Sequence, residues 1–176
     1  MRIAISGKSG CGNTTVSSLV ADRLDYPLIN FTFRALAQER GIEFWEFCTL
    51  AESDDSIDRE LDERQVAMAM AQEHCVLGSR LAIWMLKEAD LKVYLTADTK
   101  VRAQRIHKRE GGSLQERLTQ TALRDEKDTA RYRRLYDIDN SDTSVADLVI
   151  DTDGLDPRQV ADIIIREVSE RTRGTH

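Results

Sequence analysis

The residues best suited to chemistry stand near the start of the chain, where Gly7-Lys8-Ser9-Gly10-Cys11-Gly12-Asn13-Thr14-Thr15 follows the β-prone run Arg2-Ile3-Ala4-Ile5-Ser6. Glycines at 7, 10 and 12 let successive backbone N–H groups turn to one side and approach phosphate oxygens, and a helix starting directly afterwards adds its positive N-terminal end. Val16, Leu19, Val20 and Leu24 recur at helical spacing and predict that helix. Strand, glycine loop and helix together are the setting of a nucleotide phosphate loop, G-x-x-x-x-G-K-[ST]. Thr14 takes the place of the hydroxyl that ligates Mg²⁺, with Thr15 behind it. The match departs at Asn13, where the pattern requires lysine, and a glycine-rich turn that binds no nucleotide is the alternative. Lys8 is either a substitute for the lost charge or an ordinary solvated loop lysine.

A second set of residues suits phosphoryl transfer between two nucleotides, which must neutralise several negative oxygens while excluding water. Arg102, Arg105 and Arg109 precede Gly111-Gly112, the only glycine pair in the chain and a candidate hinge. Arg124, Asp128 and Arg131 follow it at i, i+4 and i+7, on one helix face. Two cations flanking a carboxylate make either a surface ion-pair ladder, which spacing alone favours, or a phosphate clamp. His74, His107 and His176 are too scattered to form an acid–base set. Trp45, Trp84, Phe44 and Phe47 are expected in the core rather than as platforms for a base.

The elements that must position these groups follow from the apolar pattern. Leu28-Ile29-Asn30, Cys75-Val76-Leu77, Leu91 to Leu95 and Leu148-Val149-Ile150 read as further strands. Helical patterns run through 33–38, 44–50, 57–71, 101–110 and 114–136, and Pro157 opens a last helix to about Arg171, with 173–176 frayed. Strands separated by helices predict an α/β chain, a five-stranded parallel sheet with helices on both faces in three layers. A length of 176 residues suits one domain.

Charge and cysteine content narrow the class of function. A net charge of −6 argues against binding of a nucleic acid polymer. The charge is uneven: 39–63 holds ten acidic residues against two arginines, whereas 100–134 holds eleven basic against five acidic. Cys11, Cys48 and Cys75 are odd in number and form no C-x-x-C pair, so neither a disulfide framework nor a four-ligand zinc site is expected. Nowhere do apolar residues run long enough to cross a bilayer. A cytoplasmic protein without a membrane partner is expected, a monomer or a weak dimer.

In the order of its motifs the chain resembles the cytidylate kinase family, particularly its short archaeal-type branch. The resemblance is carried by the loop, by Phe33-Arg34-Ala35-Leu36-Ala37, by Ile57-Asp58-Arg59 and Leu61-Asp62-Glu63-Arg64-Gln65, by Arg80-Leu81-Ala82-Ile83-Trp84, by 102–111, and by Arg131-Tyr132 through Asp147 to Thr152. It implies a P-loop nucleoside monophosphate kinase with an acceptor-binding helical region at about 31–72 and an arginine-rich lid at about 105–135. It further implies that Arg34 and Arg80 hold the acceptor monophosphate, that Asp128 faces the acceptor nucleotide, and that Arg124 and Arg131 reach phosphates as the lid closes. The resemblance also implies that one of Arg105 and Arg109 lies against the donor adenine. Besides Asn13, two departures touch the acceptor side: Ile29-Asn30-Phe31-Thr32 lacks the family's glycine, and Ser79 stands between Gly78 and Arg80 with no acidic residue after the arginine.

The activity so implied is ATP-dependent phosphorylation of CMP or dCMP with Mg²⁺. Two alternatives stay open: a kinase acting on UMP or AMP, and a nucleotide-binding regulator that has lost most turnover at Asn13.

Overall fold

The computed structural model describes residues 1–174. Its sheet is built from β1 (Arg2–Gly7), β2 (Leu28–Ile29), β3 (Cys75–Gly78), β4 (Leu91–Thr96) and β5 (Leu148–Asp151), all parallel, in the order β2-β3-β1-β4-β5. Side chains alternate across a strand. Accordingly Ile3, Ile5, Val76, Val93 and Leu95 face one way, against Val16 and Val20 of α1 (Asn13–Leu24) and Val160, Ile164 and Val168 of α8 (Pro157–Gly174). Ala4, Cys75, Leu77 and Tyr94 face the other way, against Ala69 of α4 (Asp55–Met70) and Ala82 and Ile83 of α5 (Ala82–Met85). The expected three layers are therefore present. With β1 at the centre of the sheet, the loop that follows it opens between the carboxyl ends of β3 and β4, the crevice where parallel sheets bind ligands.

Beyond the sheet, α2 (Phe33–Glu39), α3 (Phe44–Ser53) and the start of α4 enclose a separate small core of Leu36, Ala37, Phe47 and Ile57 under Phe31. Each helix start is fixed locally. Thr32 Oγ1 accepts from the Ala35 N–H, Glu43 from those of Trp45 and Glu46, and Asp54 from that of Ser56. α6 (Thr99–Glu110) and α7 (Leu114–Tyr136) pack as a hairpin, and the end of α7 meets α4 through Arg134–Asp55 and Tyr136–Asp62. Gly111-Gly112 forms the tip of that hairpin: Gly111 ends α6 at φ 74°, and Ser113 opens α7 in a capping box with Glu116.

Two expectations need correction. Trp45 is 71% exposed, because the inward face of α3 is set by Phe47 and Ala51, four residues apart, and Trp45 falls outside that stripe. The fraying expected at 173–176 does not begin at Arg173, since α8 runs through Gly174. Thr175 and His176 lie outside the described residues.

Phe47 is fully buried at the centre of the small core. Phe47→Ala is therefore expected to cost about 3 kcal/mol or more of unfolding free energy, read as a lower denaturant midpoint; an unchanged midpoint would show that this core adds nothing to cooperative stability.

Candidate functional site

The loop after β1 meets a helix that lacks the usual protection. Gly12 is the N-cap of α1 at φ 91°, and no side chain accepts a hydrogen bond there. The first N–H groups of α1 thus stay available to an anion. Every other long helix has an oxygen at this position; α8, for example, is capped by Asp156, which accepts from Arg158 and Gln159. Gly10 is also left-handed, at φ 85°, and a Cβ on it would lie 2.9 Å from the Arg102 carbonyl oxygen. Its freedom and its lack of a side chain are both required.

The loop residues open onto a cavity of about 590 Å³, together with Ser79 and Arg80 beyond β3, Arg105 and Arg109 of α6, Arg124 of α7 and Thr152 beyond β5. Gly7, Lys8, Ser9, Cys11 and Asn13 to Thr15 all line it. Cys11 does so with backbone, since the residue is 3% exposed and packs into the sheet core, where burial pushes its thiol pKa up. Asn13, where the pattern has lysine, turns its Oδ1 toward Ser17 Oγ at 3.3 Å. Lys8 is half-buried, and among the described residues its ammonium makes no ion pair. Thr14 and Thr15 are exposed at the cavity wall.

The arginines differ in how they are held. Arg105 donates to Thr152 Oγ1 at 2.9 Å, to the Thr152 carbonyl at 2.7 Å and to the Gly10 carbonyl at 3.3 Å, joining α6, the end of β5 and the loop. Arg109 is exposed and pairs with Glu110 at 2.5 Å. Arg80 pairs with Asp128 at 2.5 Å, and the same carboxylate takes Arg131 at 3.3 Å, so Asp128 stands between two guanidiniums. Arg124 has no such partner among the described residues; desolvation first, and then the positive Arg80, hold its pKa below the ordinary arginine value. Of the arginine–carboxylate face read from sequence, only Asp128 and Arg131 form a ladder. Arg124 remains directed to the cavity.

Arg131 also reaches Asp58 of α4 at 3.7 Å, at a second cavity of about 170 Å³ lined by Arg80, Tyr132, Asp62 and Gln65. Burial raises the Asp58 pKa, and it pushes Asp62 up to about 6 although the Tyr136 hydroxyl donates to that carboxylate at 2.6 Å. Sequence reasoning gave Asp58 and Asp62 no role. Their i, i+4 spacing within the acidic stretch was the available signal. Arg34 does not join either cavity: it is exposed on α2, its guanidinium 3.9 Å from the centre of the Phe44 ring.

The described residues contain no helix long and apolar enough to cross a membrane. In sequence, residues 2–154 match the cytidylate kinase-like family. The chain belongs to that family. Among family members it is 47% identical to cytidylate kinase 2 of Borreliella afzelii (strain PKo), over 97% of this chain and 98% of that one. It is 41% identical to cytidylate kinase of Archaeoglobus fulgidus (strain ATCC 49558 / DSM 4304 / JCM 9628 / NBRC 100126 / VC-16), over 96% and 94%. Two solved structures share the fold at low identity. Shikimate kinase from Bacteroides thetaiotaomicron has a TM-score of 0.63 at 18% identity, covering 98% of both chains. Deoxyadenosine kinase from M. mycoides with bound dATP has a TM-score of 0.60 at 19% identity, covering 96% of this chain and all of that one. A nucleoside monophosphate kinase-like α/β fold and membership of the cytidylate kinase-like family agree with the sequence expectation.

Two outcomes follow from this geometry. Gly10→Ala forces a side chain into Arg102 from a left-handed backbone, so ATP affinity measured by calorimetry should fall about tenfold or more; undiminished binding would contradict a cradle shaped by that residue. Asp62 has a folded-state pKa of about 6, above the ordinary carboxylate value of about 3.9, so its neutral form stabilises the fold at low pH and that contribution is lost as pH rises through the folded value. Asp62→Asn keeps an acceptor for Tyr136 without the charge. Its stability advantage over the natural protein should grow by about 2 kcal/mol between about pH 4 and about pH 8, and a pH-independent difference would place the Asp62 pKa near normal.

Proposed function

We propose that the protein phosphorylates CMP, or dCMP, at the expense of ATP, giving ADP and the diphosphate. The observation that carries this reading is the uncapped start of α1 behind a glycine loop, opening onto the same cavity as Arg80, Arg105, Arg109 and Arg124. Relatives named cytidylate kinase, matched over nearly their whole length, support CMP as the acceptor.

In this reaction an oxygen of the acceptor phosphate attacks the γ-phosphorus in line, and the bond from that phosphorus to the β–γ bridging oxygen breaks. The acceptor is already an oxyanion, so the residues supply position and positive charge rather than a base. The loop N–H groups and α1 hold the β- and γ-phosphates, with Lys8 and the Asn13 amide on the side where the family pattern has lysine. Arg105 and Arg109 flank the donor nucleotide. Arg80, held by Asp128, meets the acceptor phosphate, and Arg34 joins it when the 31–72 region closes over the acceptor. Arg124 and Arg131, in a lid spanning about 105–135, balance the charge on the transferring group.

Thr14, exposed at the cavity wall, fits Mg²⁺ as a hard oxygen donor beside the phosphates. Thr14 would supply one oxygen ligand, and the ion would supply positive charge to the β- and γ-oxygens.

A second reading, a nucleotide-binding regulator with little turnover, is favoured by one observation: Asn13 stands where the lysine should be and is engaged by Ser17. ADP release measured with CMP, dCMP, UMP and AMP separates the readings. Turnover is expected with CMP and dCMP above the others; ATP binding without release on any acceptor, together with turnover restored by Asn13→Lys, would establish the regulator. Arg80→Ala should raise the KM for CMP about tenfold or more through loss of a charge-assisted contact, and an unchanged KM would remove Arg80 from the acceptor site. If Lys8 supplies the missing charge, Lys8→Ala should depress kcat by about 10²-fold in the natural protein but far less beside Asn13→Lys. Independent effects would dismiss Lys8.

A further inference from the structure

The phosphate loop has a back as well as a front. While residues 7–15 line the cavity, the carbonyls of Ser9 and Gly10 accept from Arg102 at 3.1 Å and from Arg105 at 3.3 Å. Arg102 is 3% exposed, so its charge must be answered within the protein. Its two terminal nitrogens both donate to Asp125, at 3.0 and 2.5 Å, and one of them also donates to Thr99 Oγ1 at 3.2 Å. Only a planar fork can serve a carbonyl, a hydroxyl and both oxygens of a carboxylate at once.

Asp125 directly follows Arg124 and precedes Asp128 by three residues. The fork therefore holds α7 at the point from which Arg124 faces the cavity and Asp128 holds Arg80. Nearer the tip, the polar side-chain contacts of the hairpin stay within it: Arg109 with Glu110, Ser113 with Glu116, and Arg117 with the Gly111 carbonyl and with Gln120. Along α7 from its start, Asp125 is the first residue whose side chain pairs with a group that also touches the loop.

We propose that the Arg102–Asp125 ion pair is a positioning clasp for phosphoryl transfer: it fixes α7 against the back of the phosphate loop so that Arg124 is presented to the phosphates, and it carries a change at Ser9 and Gly10 on nucleotide binding to the tip of the hairpin. This rests on the kinase reading for the role of Arg124, though not for the link between loop and helix. Neither residue lines the main cavity. Both act through others.

The test uses the full chain and the variants Asp125→Asn and Asp125→Glu, the second keeping both charges while lengthening the arm in case the first does not fold. The expected kcat loss is about tenfold or more, with the KM for CMP changed less than about twofold, and beside Arg124→Ala the same substitution should cost less than about twofold. Hydrogen exchange supplies a readout that needs no turnover: ATP should slow exchange of the amides of 114–124 in the natural protein and leave it unslowed in the variants. Losses that multiply regardless of Arg124, or protection by ATP that survives in both variants, would overturn the clasp. Failure of the natural protein to turn over CMP would instead count against the kinase reading, while the exchange result would still decide the clasp.

Discussion

The structure depends on a row of backbone N–H groups left without protein partners at the start of α1. A glycine at the N-cap forgoes only about a few tenths of a kcal/mol of the stability a serine or aspartate would contribute, and the amides it leaves open can be taken by an anion in place of the cap. The neighbouring elements shape that helix start. β1 occupies the middle of the sheet, so the loop emerges between two neighbours. Gly10 and Gly12 take left-handed conformations that turn the chain. Arg102 and Arg105 satisfy the carbonyls facing away, so the amides need not rotate to satisfy them.

Positive charge is concentrated against the overall balance of −6. Guanidiniums gathered in one cavity repel each other, and the protein divides them by function. Arg102 and Arg105 are spent on backbone and carboxylate partners, Arg80 and Arg131 share Asp128, and Arg124 alone among the described residues lining the main cavity from α7 is left uncompensated. Its lowered pKa reflects both desolvation and Arg80. A triphosphate entering this cavity would relieve that repulsion, which is the electrostatic condition for binding polyanions without the loop lysine.

Much of this was legible in the sequence because it is local. The glycine loop, the alternating strands and the i, i+4, i+7 face of α7 are all short-range patterns, and each strand was placed to within about a residue or two. What was not legible is long-range. The single turn of α5 escaped because Leu81-Ala82-Ile83-Trp84 shows no period, and its first amides depend on Ser6 Oγ, which accepts from the Ile83 N–H at 3.1 Å across the sheet. The sequence separated Arg102 from Arg105 and Arg109 by nothing but position, yet one is a buried brace, one is tied to Thr152, and one is exposed. The spacing of Arg34 could not reveal that it rests on Phe44. The carboxylates Asp58 and Asp62 were hidden within an acidic run that reads as a solvated face, and only the packing of α4 against α7 turns them toward a cavity.

The central claim, that the loop amides and the start of α1 receive the phosphates although the lysine is absent, is tested most directly by amide resonances. In ¹H–¹⁵N spectra of the uniformly labelled protein, ADP with Mg²⁺ should shift the N–H signals of Gly10, Gly12, Asn13 and Thr14 downfield, as expected for amides that gain charged acceptors. Signals of these four residues that stay in place at saturating nucleotide, while others move, would contradict the account.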